Sequence, residues 1–125
     1  MLSRVSILLI DDSASVREVL RVALESEGYN VMEAADGREG VRLYREQRPA
    51  LVIADIVMPE KDGIETVKEI LAIDPDAVIF TMSGAGDDYQ EVARMLGAKR
   101  GFEKPVNLAA LLAAITHARG PRFLE

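Results

Sequence analysis

A chain of 125 residues, 49% of them hydrophobic, is the size of one compact domain with a sizeable core. It has no cysteine, which excludes disulfides and thiolate chemistry, and no apolar stretch approaches the ~18 residues that span a bilayer. A formal charge of −6 argues against direct nucleic-acid binding, which takes clustered Lys and Arg against the phosphate backbone.

Short β-branched runs alternate with longer stretches of helical period. The opening Met1-Leu2-Ser3-Arg4 leads into an apolar run too short for a secretory signal, so the expectation is a cytoplasmic protein without membrane insertion. Val5 to Ile10 reads as a strand covered on both faces. Ser13 offers a helix cap, and Val16, Val19, Leu20, Ala23 and Leu24 repeat at helical spacing until Gly28 stops them. Val31 to Ala35 is a weaker strand, followed by a helix from about Gly37 to Gln47 that Pro49 closes. Leu51 to Ala54 is the third strand. Ile64, Val67, Ile70 and Leu71 mark a helix that ends before Pro75, and Ala77 to Met82 is the fourth strand. Asp87-Asp88 starts a fourth helix carrying Tyr89, Val92, Ala93 and Leu96, which Gly97 closes. A short strand at Arg100 to Glu103 precedes a last helix with Leu108, Leu111, Leu112 and Ile115. Five strand–helix units in strict alternation predict an α/β fold, an open, doubly wound parallel sheet with helices on both faces. One domain is expected, with its core at about 5–118. Residues 119–125 read as a tail, a linker stub or a cloning remnant.

Such sheets bind ligands beyond the carboxyl ends of their strands. Those ends carry Asp11-Asp12, Asp55, Ser83-Gly84 and Lys104-Pro105. Each alone reads as a turn, a cap or a solvated charge, but together they are hard to explain as packing. Three crowded carboxylates repel one another unless a cation compensates, and oxygen ligands without His or Cys select Mg²⁺ or Mn²⁺. Lys104 supplies a point charge and Ser83 a hydroxyl to phosphoryl oxygens, and a carboxylate can serve as the nucleophile.

In order and spacing, Asp11-Asp12, Asp55 through Met58-Pro59 to Gly63, Met82-Ser83-Gly84 and Lys104-Pro105 resemble the response-regulator receiver domains of two-component signalling, over about Val5 to Ala118. The resemblance implies the flavodoxin-like, CheY-like (βα)5 sheet of strand order 2-1-3-4-5. It implies that Asp11 and Asp12 bind Mg²⁺ together with Asp55 and the backbone carbonyl of Val57. It also implies that Asp55 is phosphorylated from a histidine kinase phosphohistidine or a small phosphodonor, and that Ser83 and Lys104 contact the phosphoryl group. The partners it implies are a sensor histidine kinase or phosphotransfer protein, and an output protein or a phosphorylation-dependent homodimer. The fourth helix, fifth strand and fifth helix are its expected docking face. A signalling switch of this kind turns over no metabolite.

The chain departs from the pattern at Gly101, where such domains carry Tyr or Phe three residues before the lysine. A one-residue shift reverses the face on which a strand side chain lies, so Phe102 is expected in the core. Ser83 moving toward a phosphoryl group would then draw in the loop before the fourth helix without an aromatic relay. Lys61 and Glu103 are smaller departures, both expected to face solvent, and His117 reads as a surface residue near a helix end. Val57 and Ala85 offer no polar group to orient attacking water, so a longer-lived phosphoryl state is expected. The main rival is a Mg²⁺-dependent phosphohydrolase of the haloacid dehalogenase type, which wants Asp-x-Asp after the first strand where this chain has Asp11-Asp12-Ser13. A flavodoxin-like nucleotide binder would need a glycine-rich phosphate loop there.

Overall fold

The computed structural model describes residues 5–57, 63–84 and 89–118. Strands β1 (Ser6–Ile10), β2 (Asn30–Ala34), β3 (Leu51–Asp55), β4 (Ile79–Ser83) and β5 (Arg100–Glu103) alternate with helices α1 (Ala14–Ser26), α2 (Gly37–Gln47), α3 (Gly63–Ile73), α4 (Tyr89–Leu96) and α5 (Leu108–Ala118). The strands form one parallel sheet in the order β2-β1-β3-β4-β5, as expected.

The apolar runs become the inner strands because both of their faces are covered. β3 and β4 are buried throughout and β1 nearly so, whereas the edge strands β2 and β5 keep exposed positions. Alternate residues feed two cores. Ile7, Leu9, Ile53, Phe80, Met82 and Phe102 pack with α1 and α5, while Leu8, Ile10, Val52, Ala54 and Ile79 pack with α2 and α3.

Local signals set the element ends. The Ser13 hydroxyl accepts from Val16 N (3.2 Å), capping α1. Asp36 accepts from Glu39 N (2.9 Å) while the Glu39 carboxylate accepts from Ala35 N (3.1 Å), a reciprocal cap for α2. Gly28 ends the α1 turn at φ +92°, where a side chain would be strained. β4 begins two residues later than its apolar run suggests. Asp74 holds a turn there, accepting from Asp76 N through its side chain (3.0 Å) and from Ala77 N through its carbonyl (3.0 Å). β2 begins one residue early and releases Ala35 to the α2 cap.

Register brings the strand ends level. Ile10 lies opposite Ala34 and Ala54, Asp55 opposite Met82, and Ser83 opposite Glu103. Residues immediately after β1 and β5, and those ending β3 and β4, therefore meet at one edge.

Candidate functional site

Asp11 follows β1 directly and is fully buried. Its N–H donates to the Ala34 carbonyl (3.1 Å), and its Oδ1 accepts from Ser13 N (2.8 Å), so backbone pins both ends of the residue. Asp12, next in the chain, is exposed. Asp55 ends β3, only 4% exposed, and its Oδ1 accepts from Val57 N (3.1 Å). Carboxylate oxygens of Asp11, Asp12 and Asp55 lie within 4.8 Å of one another.

Lys104 reaches across the same edge. Its Nζ stands 2.8 Å from Asp11 Oδ2 and 3.2 Å from Asp55 Oδ2. Its backbone N–H donates to the Ser83 carbonyl (2.7 Å), fixing where β5 leaves the sheet, and the Lys104–Pro105 peptide is cis. Ser83 is buried, and its Oγ has no hydrogen-bond partner among the described residues. A buried hydroxyl without a partner costs free energy, of order 1–3 kcal/mol, so Ser83 Oγ can donate to a group placed at this edge.

The helix after Asp55 also presses on the site. Gly63 N donates to the Ile56 carbonyl (2.6 Å), and a Cβ on Gly63 would lie 2.2 Å from the Asp55 carbonyl oxygen. No other residue lets α3 start so close to the β3 backbone.

Burial raises the Asp55 pKa above the usual aspartate value, and the nearby Asp11 charge raises it further, while Lys104 and the Val57 N–H pull against both. Partial burial of Lys104 disfavours its charged form, but the contacts with Asp11 and Asp55 outweigh this and hold the ammonium above its ordinary value. Three carboxylates against one ammonium leave negative charge uncompensated. Hard oxygen donors of that charge suit a divalent cation such as Mg²⁺.

Asp11, Asp12, Asp55, Ser83 and Lys104, expected at strand ends, thus stand at one edge of the sheet. Val57 presents its N–H to Asp55 and an exposed side chain. Phe102 is 8% exposed and packs on Phe80 with ring centroids 5.8 Å apart, on the sheet face opposite Gly101, as the alternation argument required. Glu103 and His117 are exposed. Met58, Pro59, Lys61, Ala85, Asp87 and Asp88 lie outside the described residues, as do 119–125.

Two groups of site neighbours escaped sequence reasoning. Arg17 donates through Nη1 to the Asp11 carbonyl (2.5 Å) and through Nε to Glu33 (2.9 Å), tying α1 and β2 to the end of β1. Thr81 lies on the same face of β4 as Ser83 and donates from Oγ1 to the Gln90 side chain (2.6 Å). A threonine within an apolar strand was the available sign, since a buried hydroxyl needs a partner.

The profile of the response regulator receiver domain matches residues 7–116. The chemotaxis protein CheY of Thermotoga maritima is 39% identical over 111 residues, spanning 87% of this chain and 92% of that protein. Sporulation initiation phosphotransferase F of Bacillus subtilis is 32% identical over 110 residues, 87% and 89% of the two chains. Among solved structures, a response regulator receiver domain protein from Clostridium thermocellum superposes with a TM-score of 0.86 at 33% identity, covering 90% of this chain and 92% of that one. The phosphohydrolase alternative is not supported: the receiver profile takes in both Asp11-Asp12 and Lys104.

Proposed function

The chain belongs to the response-regulator receiver family, the phosphoacceptor switches of two-component signalling, and from that premise we propose that Asp55 is the residue phosphorylated. The supporting observation is the arrangement around it: a buried carboxylate facing Lys104, a second buried carboxylate sharing that lysine, and a buried hydroxyl with no partner among the described residues.

A carboxylate oxygen of Asp55 attacks the phosphorus of a histidine kinase or phosphotransfer protein phosphohistidine, or of a small phosphodonor. The new P–O bond forms as the P–N bond of phosphohistidine breaks, with the electron pair left on the imidazole nitrogen, or as the P–O bond of a small donor such as acetyl phosphate breaks, with the pair left on the departing acetate oxygen. Lys104 and the Ser83 hydroxyl contact the transferred phosphoryl oxygens, where positioned charge and hydrogen-bond donors do most of the catalytic work. Asp11, Asp12, Asp55 and the Val57 carbonyl would hold Mg²⁺ (or Mn²⁺), which supplies charge neutralisation to the phosphoryl group. The protein turns over no metabolite. It works in the cytoplasm as one receiver unit, without direct contact to nucleic acid, through an output protein or a phosphorylation-dependent homodimer. No helix among the described residues is long and apolar enough to cross a membrane.

Acetyl phosphate with Mg²⁺ tests the assignment. A base-labile label on the wild-type chain that disappears in Asp55→Asn is expected, whereas continuing phosphate release from assorted phosphate esters would overturn it. The exposed apolar Val57 side chain gives attacking water nothing to lean on, so the label should persist in the isolated protein. A lifetime of seconds with Mg²⁺ would refute that last point alone.

A further inference from the structure

Among the described residues, helix α4 buries little side-chain volume against the sheet. Its one fully buried side chain among the described residues is Ala93, set in a small cluster with Ile56, Ala98 and the partly buried Ile64. Val92, Met95 and Leu96 are exposed, Met95 by 76%. Beside that cluster stands the Gln90 amide. Its Oε1 accepts from Thr81 Oγ1 on β4 (2.6 Å), and its Nε2 donates to the Phe102 carbonyl on β5 (3.0 Å). The amide fits because residue 101 has no side chain: a Cβ on Gly101 would lie 2.3 Å from Gln90 Oε1 and 2.7 Å from its Cδ. A cavity of about 210 Å³ bordered by Gln90, Glu91, Arg94, Arg100 and Gly101 adjoins it, so the amide has room to swing away.

The same strand links this fastening to the site. Thr81 and Ser83 share a face of β4, and only residues 84–88 separate Ser83 from α4, whose second residue is Gln90. The Ser83 hydroxyl is buried with no partner among the described residues, and a phosphoryl group on Asp55 would offer it one. Ser83 drawn toward a phosphoryl group on Asp55 would pull at the end of α4 that Gln90 fastens.

We infer that Gln90 is a hydrogen-bonded latch, closed on Thr81 and the Phe102 carbonyl while Asp55 is unmodified and opened when Asp55 carries a phosphoryl group. This inference rests on the phosphoacceptor reading of Asp55. The latch takes the space that Gly101 leaves free and makes the seating of α4 the signal.

Amide hydrogen exchange, with beryllium trifluoride and Mg²⁺ as the phosphoryl mimic, tests the latch. In the wild-type chain, the mimic should speed exchange in α4 about tenfold, the size expected for losing two modest hydrogen bonds. In Gln90→Leu and in Gly101→Ala, whose new methyl group displaces the amide, α4 should exchange that fast already. The mimic should then change it by less than about twofold while still perturbing the amides around Asp55. Should either variant fail to fold, Thr81→Val removes the donor at nearly constant volume and must give the same result. Bound mimic with unchanged α4 exchange in the wild type overturns the latch and leaves the phosphoacceptor reading standing. No binding of the mimic to the wild type overturns both.

Discussion

Helices α3 and α4 lie on the same face of the sheet and are attached by different means. α3 buries Val67 and Ile70 in the cluster that also holds Leu8, Val52 and Ile79, and it starts with Gly63 pressed against the backbone of Asp55 and Ile56. α4 buries Ala93 and closes the Gln90 amide on β4 and β5. The helix that starts against Asp55 is fixed by packing, which resists displacement. The helix nearest Ser83 in the chain is fixed largely by hydrogen bonds, which can be exchanged for others at small net cost. A site must hold its geometry while its signal must move something, and this sheet assigns the two demands to different helices.

Truncating side chains on the two helices is the hardest test of that contrast. Ile70→Ala should cost about 3 kcal/mol in urea unfolding, because Ile70 is fully buried in the cluster with Leu8, Val52 and Ile79. Met95→Ala should change stability by less than about 0.5 kcal/mol, since Met95 is mostly in solvent. Equal losses would break the comparison.

Divalent cation should act on one of the two regions and spare the other. At about 100 times its dissociation constant, Mg²⁺ should stabilise the wild-type chain by ~2.7 kcal/mol, read as a rise in melting temperature. Asp12→Ala should lose most of that gain, since it removes one of the three clustered carboxylates. Added protection from exchange should concentrate at Asp11, β3 and the start of α3. A cation that protected α4 equally, without any phosphoryl group, would show that the site and the latch are not separate.

Much of this was legible in the sequence, for identifiable reasons. The central strands announced themselves as apolar runs because both their faces are buried, and the site residues because parallel sheets place reactive groups at carboxyl ends. The position of Phe102 followed from strand alternation alone. The start of β4 was not legible, because a side-chain cap from Asp74 decides it against a run that reads Ala77-Val78-Ile79. Neither was the Thr81–Gln90–Phe102 connection, whose partners belong to three elements and leave no periodic trace. The role of Arg17 was not legible either, because its partners, Glu33 on β2 and the Asp11 carbonyl after β1, meet it only in the fold.

The smallest effect concerns the charge of Asp55 itself. Burial and Asp11 hold the folded pKa of Asp55 above its ordinary value of 3.8, so the fold favours the protonated form. That contribution to stability is fully present below the unfolded pKa and is lost as pH rises through the raised folded value. At neutral pH the ionised carboxylate therefore weakens the fold. Asp55→Asn, which keeps the shape without the charge, should be the more stable protein by about 1 kcal/mol in the absence of divalent cation. Lys104 opposes the gain by losing one anionic neighbour, yet it keeps Asp11 at 2.8 Å. Its own raised pKa keeps it charged throughout the acid and neutral range. Asp11 and Asp12 are common to both proteins, so the pH dependence of the stability difference reports chiefly on residue 55. Urea melts between about pH 4 and pH 8 should show the advantage of Asp55→Asn growing from near zero to a plateau. A flat difference would mean that Asp55 is no more strained than a surface carboxylate. The contrast between a packed, reactive region and a lightly latched one would then rest on α4 alone.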